Sequence, residues 1–149
     1  MFTMTYSSPI GPLYIAEQDG AITHLKFSPV DGVQKETPLL RHCAEQLDAY
    51  FDGTLQEFDL PLAPSGTPFQ MRVWQTLQTI PYGTTWSYKT LAETADSPRG
   101  YRAVGLANNR NPISILIPCH RVVGASGALT GYGGGLSNKE HLLKLEGVL

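Results

Sequence analysis

The chain has 149 residues, 42% of them hydrophobic and 16% charged, enough for one ordinary domain or two small ones that share a core. No apolar run approaches the roughly 18 residues needed to cross a bilayer, and the N-terminus lacks the basic start and apolar stretch of an export signal. The formal charge of −2 hides an asymmetry: residues 1–67 carry three Lys/Arg against nine Asp/Glu, and residues 68–149 carry eight against four. The expected protein is cytoplasmic, without a membrane partner, with Cys43 and Cys119 as free thiols. The basic second half is the one suited to a polyanion.

Thr3–Tyr6, Pro12–Ala16 and Ile22–Phe27 read as strands, separated by turn signals at Pro9-Ile10-Gly11 and Asp19-Gly20, and predict a small antiparallel sheet. Thr37-Pro38 supplies an N-cap and a first-turn proline. Leu40, Cys43, Leu47, Tyr50 and Phe51 then recur at helical spacing until Gly53. Cys43 falls on that apolar face and reads as core packing.

The Pro-rich stretch 59–66 is the natural break between residues 1–66 and 67–149. Thr67-Pro68 opens a helix whose Phe69, Val73, Trp74, Leu77 and Ile80 share a face before Pro81-Tyr82-Gly83 stops it. Ser87 caps a second helix. Ser97-Pro98 opens a third, carrying Arg102, Ala103, Val104, Leu106 and Ala107. Two short capped helices joined by a turn form a helix-turn-helix pattern, with the third helix in the reading position. Asn111-Pro112 breaks that helix. A glycine-rich loop occupies 124–135, and Ser137–Leu145 reads as a last helix.

Between them, Ile115–Val123 reads as an extended segment with Cys119, His120 and Arg121 side by side. A thiol next to two potential cations can be held as thiolate, the form that attacks carbon. In an extended segment Cys119 and His120 point to opposite sides, so a water must connect them if the strand bends after Pro118. Glu146 or Glu140 can then orient the imidazole. A core cysteine beside a solvated histidine is the plain alternative.

Phe69 with Val73-Trp74, Ile80-Pro81-Tyr82-Gly83, Ser87-Tyr88, Arg102-Ala103-Val104-Gly105, Asn111-Pro112, the whole run Ile115–Val123, Gly131-Tyr132 with Gly134-Gly135-Leu136, and Lys139-Glu140 with Leu142-Leu143 and Glu146-Gly147 occur in order. Together these blocks resemble the O6-alkylguanine-DNA alkyltransferases, over nearly all of residues 67–147. The N-terminal half resembles the family only in its β-rich start and following helix.

The resemblance implies an α+β fold: a ribonuclease H-like N-terminal sheet with a helix, followed by a helical, winged helix-turn-helix domain. It implies a DNA repair protein that enters the minor groove of double-stranded DNA, extrudes an O6-alkylguanine and moves the alkyl group irreversibly onto its own cysteine; O4-methylthymine is left open as a second lesion. Flipping costs a few kcal/mol and is cheaper for a base whose pairing is already weakened.

Carried over, Cys119 is the acceptor, His120 the water-mediated base and Glu146 its orienting carboxylate. Arg102 is the finger that fills the vacated stack. Tyr88 crowds the rotating phosphate and donates toward N3, the carbonyls of Cys119 and Val122 accept from the exocyclic amine, and the Gly133 N–H faces O6. Asn111 ties the reading helix to the active-site segment, Tyr132 lines the pocket, Pro118 shapes its wall, Arg121 makes internal polar contacts and Lys139 positions the pocket loop. Gln70 and Lys89 fall where the family touches phosphate.

The implied protein is a monomer without cofactor, and His24, His42 and Cys43 do not form a zinc pattern. One departure concerns DNA: Gly100-Tyr101 stand where small residues usually precede the arginine. Two other readings remain: a lesion-binding relative without chemistry, and a cysteine hydrolase pairing Cys119 with His24, His42 or His141.

Overall fold

The computed structural model describes all 149 residues. Strands β1 (Phe2–Ser8), β2 (Gly11–Gln18) and β3 (Ala21–Lys26) form an antiparallel meander. Asp19 and Gly20 both take positive φ, 53° and 80°, the geometry of a two-residue hairpin turn that suits strand twist. A fourth strand, β4 (Val33–Gln34), pairs parallel to β1, so the sheet order is β3-β2-β1-β4 and the sheet is not purely antiparallel. Two exposed residues on an edge carry no periodicity from which a strand could be read.

Helix α1 (Pro38–Phe51) begins where Thr37 caps Leu40 N–H, and it packs Leu40, Cys43, Leu47 and Tyr50 onto the sheet. Thr67 opens α2 (Pro68–Leu77) with a capping box in which the Gln70 side chain answers the Thr67 N–H. Short strand β5 (Trp86–Ser87) leads into α3 (Tyr88–Thr94), capped by Ser87.

The third helix of the second half starts later than its sequence predicts. Asp96 sits in the left-handed region at φ 62°, and bonds from Ser97 N–H to Ala92 and from Asp96 N–H to Glu93 close α3 as a Schellman-type end. Ser97-Pro98 therefore lies in the connecting turn, and α4 runs from Tyr101 to Asn109 with Gly100 as an N-cap that has no side chain to offer.

The run 115–123 is not the extended segment its composition predicts. Cys119–Arg121 form a 3-10 turn, and only Val122–Val123 pair as β6, parallel to β5. Pro118 has no N–H for a ladder, and Ile115 takes φ 72°, a strained conformation for a β-branched side chain. Every residue from 111 to 123 is buried, so no alternation marks the backbone geometry in the sequence.

Helix α5 (Leu136–Leu145) closes the chain. The two halves share one hydrophobic core of 25 buried residues, from Leu13, Leu25 and Leu47 through Trp74 and Val104 to Ile117 and Leu142. Bridges Ile22–Leu62 and Leu25–Ile113 tie the sheet to the linker and to the segment before Cys119. No helix is long and apolar enough to cross a membrane.

Candidate active site

The 3-10 turn presents Cys119, 5% exposed, to a cavity of about 280 Å3. Tyr132 and Gly133 from the glycine-rich loop, Asn108, Asn109, Asn111 and Ser114, and Lys26, Phe27 and Ser28 from the end of β3 complete the lining. The N-terminal sheet thus supplies one wall. Phe27 lies edge-on to Tyr132, ring centres 5.7 Å apart, and its ring stands where Gly134 would carry a Cβ.

Burial pushes the Cys119 thiol up; the side chains of Asn111 and Ser114 and the charge of Lys139 pull the other way, toward thiolate. Asn111 donates to the Ile117 carbonyl at 2.8 Å and accepts from Ile113 N–H at 2.9 Å, binding the end of α4 to the segment before the thiol. Lys139 is fully buried on α5 and donates to the carbonyls of Val122 at 2.5 Å and Thr130 at 2.6 Å. Burial lowers it to about 8 against the opposing effect of Cys119.

His120 and Glu146 are both buried and meet at 2.6 Å, Nε2 to Oε2. Glu146 also accepts from Arg121 Nε at 2.7 Å, from Arg121 Nη2 at 3.2 Å and from the hydroxyl of Tyr50 at 2.6 Å. Burial opposes its charge, but the hydrogen bonds from His120 and Arg121 and the guanidinium charge prevail and hold the carboxyl at about 2. An ionised carboxylate only accepts, so the His120 Nε2 carries the proton it donates. With the imidazole neutral, which burial favours by lowering its pKa, Nδ1 is left with a free lone pair, and it has no protein partner. Arg121 also donates to the Ile80 carbonyl at 2.7 Å and sits over the Tyr82 ring.

Arg102 projects from the exposed face of α4 into an open cleft shared with Tyr88, Tyr101, Gly105, Leu106, Asn109, Thr130 and Gly131. Trp74 fixes this helix from behind by donating to the Ala107 carbonyl at 2.8 Å. Asn109 lines both the cleft and the thiol cavity, so the two meet there.

Some expected contributions lie elsewhere. Tyr88 belongs to the outer cleft, where its hydroxyl accepts from Thr130 Oγ1 at 3.2 Å. Pro118 lines a different cavity of about 390 Å3, with Leu60, Tyr82 and Arg121, because the turn that exposes the thiol carries the preceding ring to the opposite side. Val122 is absent from the lining of the thiol cavity, and its carbonyl accepts from Lys139. The Gln70 amide oxygen is engaged in the cap of α2, and Lys89 is exposed with its nitrogen 4.0 Å from Glu93. His24, His42 and His141 do not line the thiol cavity. Sequence reasoning missed Tyr50, Lys26–Ser28, Asn108, Asn109 and Ser114. Only the amide pair Asn108-Asn109, which follows Leu106-Ala107 at the end of the helix, leaves a local signal.

Residues 1–64 match the family description "6-O-methylguanine DNA methyltransferase, ribonuclease-like domain", and residues 68–148 match its "DNA binding domain". A methylated-DNA--protein-cysteine methyltransferase of Methanosarcina barkeri is 51% identical, with 98% of this chain and 97% of that protein covered. One of Mycolicibacterium paratuberculosis is 52% identical over 95% and 90% of the two chains. The crystal structure of Mycobacterium tuberculosis OGT in complex with DNA superposes with a TM-score of 0.87 at 48% identity, covering 98% of this chain and 92% of that one.

Proposed function

The chain belongs to the 6-O-methylguanine DNA methyltransferase family, and from that premise we propose how it repairs alkylated DNA: it moves the alkyl group from guanine O6 onto Cys119 and is consumed in doing so. The observation that carries this reading is a free thiol facing a cavity, followed in sequence by a buried histidine with one nitrogen tied to Glu146 and the other unpartnered.

The thiol proton passes through a water to Nδ1 of His120, whose tautomer Glu146 fixes. As the sulphur–carbon bond forms, the carbon–O6 bond breaks and the purine leaves with the electron pair. Donors at O6 and N3 stabilise that developing charge, in roles assigned to the Gly133 N–H and the Tyr88 hydroxyl. The cleft that joins Tyr88 to the thiol cavity at Asn109 supports a Tyr88 at the cavity mouth. The product is a thioether, and nothing in the site regenerates the thiol, which makes each molecule a single-use reagent.

The DNA is double-stranded and entered from the minor groove by the exposed face of α4, with Arg102 taking the place of the flipped base. The exposure of Arg102, Tyr101 and Leu106 beside the cleft supports that orientation. The same reading has the protein act as a monomer in the cytoplasm, where both thiols stay reduced. Incubation with duplex DNA bearing O6-methylguanine is expected to add one methyl to the intact mass, mapped to Cys119. An unchanged mass after complete DNA contact rejects the reading. A parallel run with O6-benzylguanine reports how much room Tyr132 and Gly133 leave.

A further inference from the structure

Asn108 occupies the last turn of α4, is 1% exposed, and lines the cavity that holds Cys119. Neither its amide nitrogen nor its amide oxygen has a partner. Of the five buried side-chain polar atoms left unpaired in the whole chain, four belong to Asn108, His120 and Tyr132, all at this site. More than nine in ten buried polar groups in proteins are paired, and leaving one unpaired is costly. The His120 nitrogen is accounted for by the thiol proton. Asn108 has no part in that relay, so its amide needs another explanation.

We propose that Asn108 is a specificity residue that reads the ring edge of the extruded base, a role that rests on the reading of the cavity as the site of an O6-alkylguanine. A primary amide offers one donor and one acceptor side by side. Guanine presents two donors on its pairing edge, N1–H and the exocyclic amine. Alkylation at O6 strips the hydrogen from N1 and turns it into an acceptor next to that amine. The amide matches the alkylated edge, N–H to N1 and carbonyl from the amine, and is mismatched to the undamaged one. An O4-alkylthymine presents two acceptors there and satisfies only half of the amide. Asn108 thus favours the damaged purine over both.

The test measures single-turnover methyl transfer by wild type and Asn108→Leu from duplexes holding O6-methylguanine or its 1-deaza counterpart, together with thermal unfolding. Leucine keeps the branched shape, at a larger volume, and removes both polar atoms. Transfer from O6-methylguanine is expected to slow roughly tenfold, the size of one hydrogen bond to substrate, and the preference of wild type for the N1-bearing substrate should collapse by the same factor. The variant should melt no lower than wild type, because it buries nothing unpaired and the adjoining cavity takes the added methyl volume. A preference unchanged by the substitution overturns the proposal, as does a lower melting point with unchanged transfer. If leucine does not fold, Asn108→Ala answers the same question. A wild-type protein that takes no methyl from O6-methylguanine overturns the parent reading as well; transfer with an unaltered preference overturns only the role of Asn108.

Discussion

The hydroxyl of Tyr50 donates to Oε2 of Glu146 at 2.6 Å, across 96 positions of chain. The first residue belongs to the helix that packs on the N-terminal sheet, and the second holds the histidine next to Cys119, the proposed alkyl acceptor. Tyr50→Phe keeps the ring and its packing and removes one donor from a buried carboxylate. The expected cost is about 2 kcal/mol in chemical denaturation, in the range for hydrogen bonds to charged groups. Methyl transfer is expected to slow less than in a Glu146 variant, because His120 and Arg121 stay in place. Unchanged stability would mean that the contact contributes nothing.

Acid should expose the same carboxylate. Glu146 is held at about 2 in the folded chain, below the ordinary carboxylate value in the unfolded one. Its contribution to stability is therefore complete above about pH 4.5 and is lost as the pH falls toward 2. His120 adds in the same direction, since burial resists the protonation that the unfolded chain undergoes freely below about pH 6.5. Glu146→Gln should flatten the stability profile between pH 2 and 4.5. At neutral pH it should cost about 3–5 kcal/mol, since Arg121 is left as a buried charge without its partner. Denaturation curves across that range check both.

Arg102 is exposed and makes no hydrogen bond or ion pair within the chain, so Arg102→Ala should leave stability within about 0.5 kcal/mol. Repair should fall sharply and affinity for undamaged duplex only modestly, because in its proposed role the side chain acts on the base step rather than on phosphate. Transfer kinetics beside binding isotherms separate the two; repair at the wild-type rate removes Arg102 from its assigned place.

Lys139→Met removes a cation that favours the Cys119 thiolate and leaves the Val122 and Thr130 carbonyls without their donor. The pH profile of methyl transfer is expected to shift toward alkaline values. Stability carries its own signature. Lys139 titrates near 8 when folded and near 10.5 when unfolded, so the unfolded chain binds the extra proton between those values and wild-type stability gains with rising pH there. That gain should be missing in the variant.

How far these features can be read from sequence depends on whether their causes are local. The Thr37-Pro38 and Thr67-Pro68 caps and the Asp19-Gly20 turn carry their own geometry, and the helices and hairpin they start stand where those residues put them. Ser97-Pro98 has the same composition as a cap but falls in a turn, because Asp96 takes the left-handed position that ends the previous helix, where a glycine would have marked the stop in the sequence. The segment 111–123 is buried throughout, which erases the periodicity that tells strand from turn. Tyr50 and Phe27 reach the site through tertiary packing alone. Their own neighbourhoods read as ordinary core helix and strand end, and nothing adjacent in the chain marks them.

The shared core has a practical corollary for anyone wishing to miniaturise this repair module. A fragment beginning at the linker would retain the sulphur, the imidazole and the helix proposed to face DNA, yet it would forfeit the Phe27 ring that backs Tyr132 and the phenol that steadies Glu146. Transplanting the second half into another scaffold therefore requires substitutes for both, one aromatic plane and one hydroxyl, before any residue of the α4 face is redesigned.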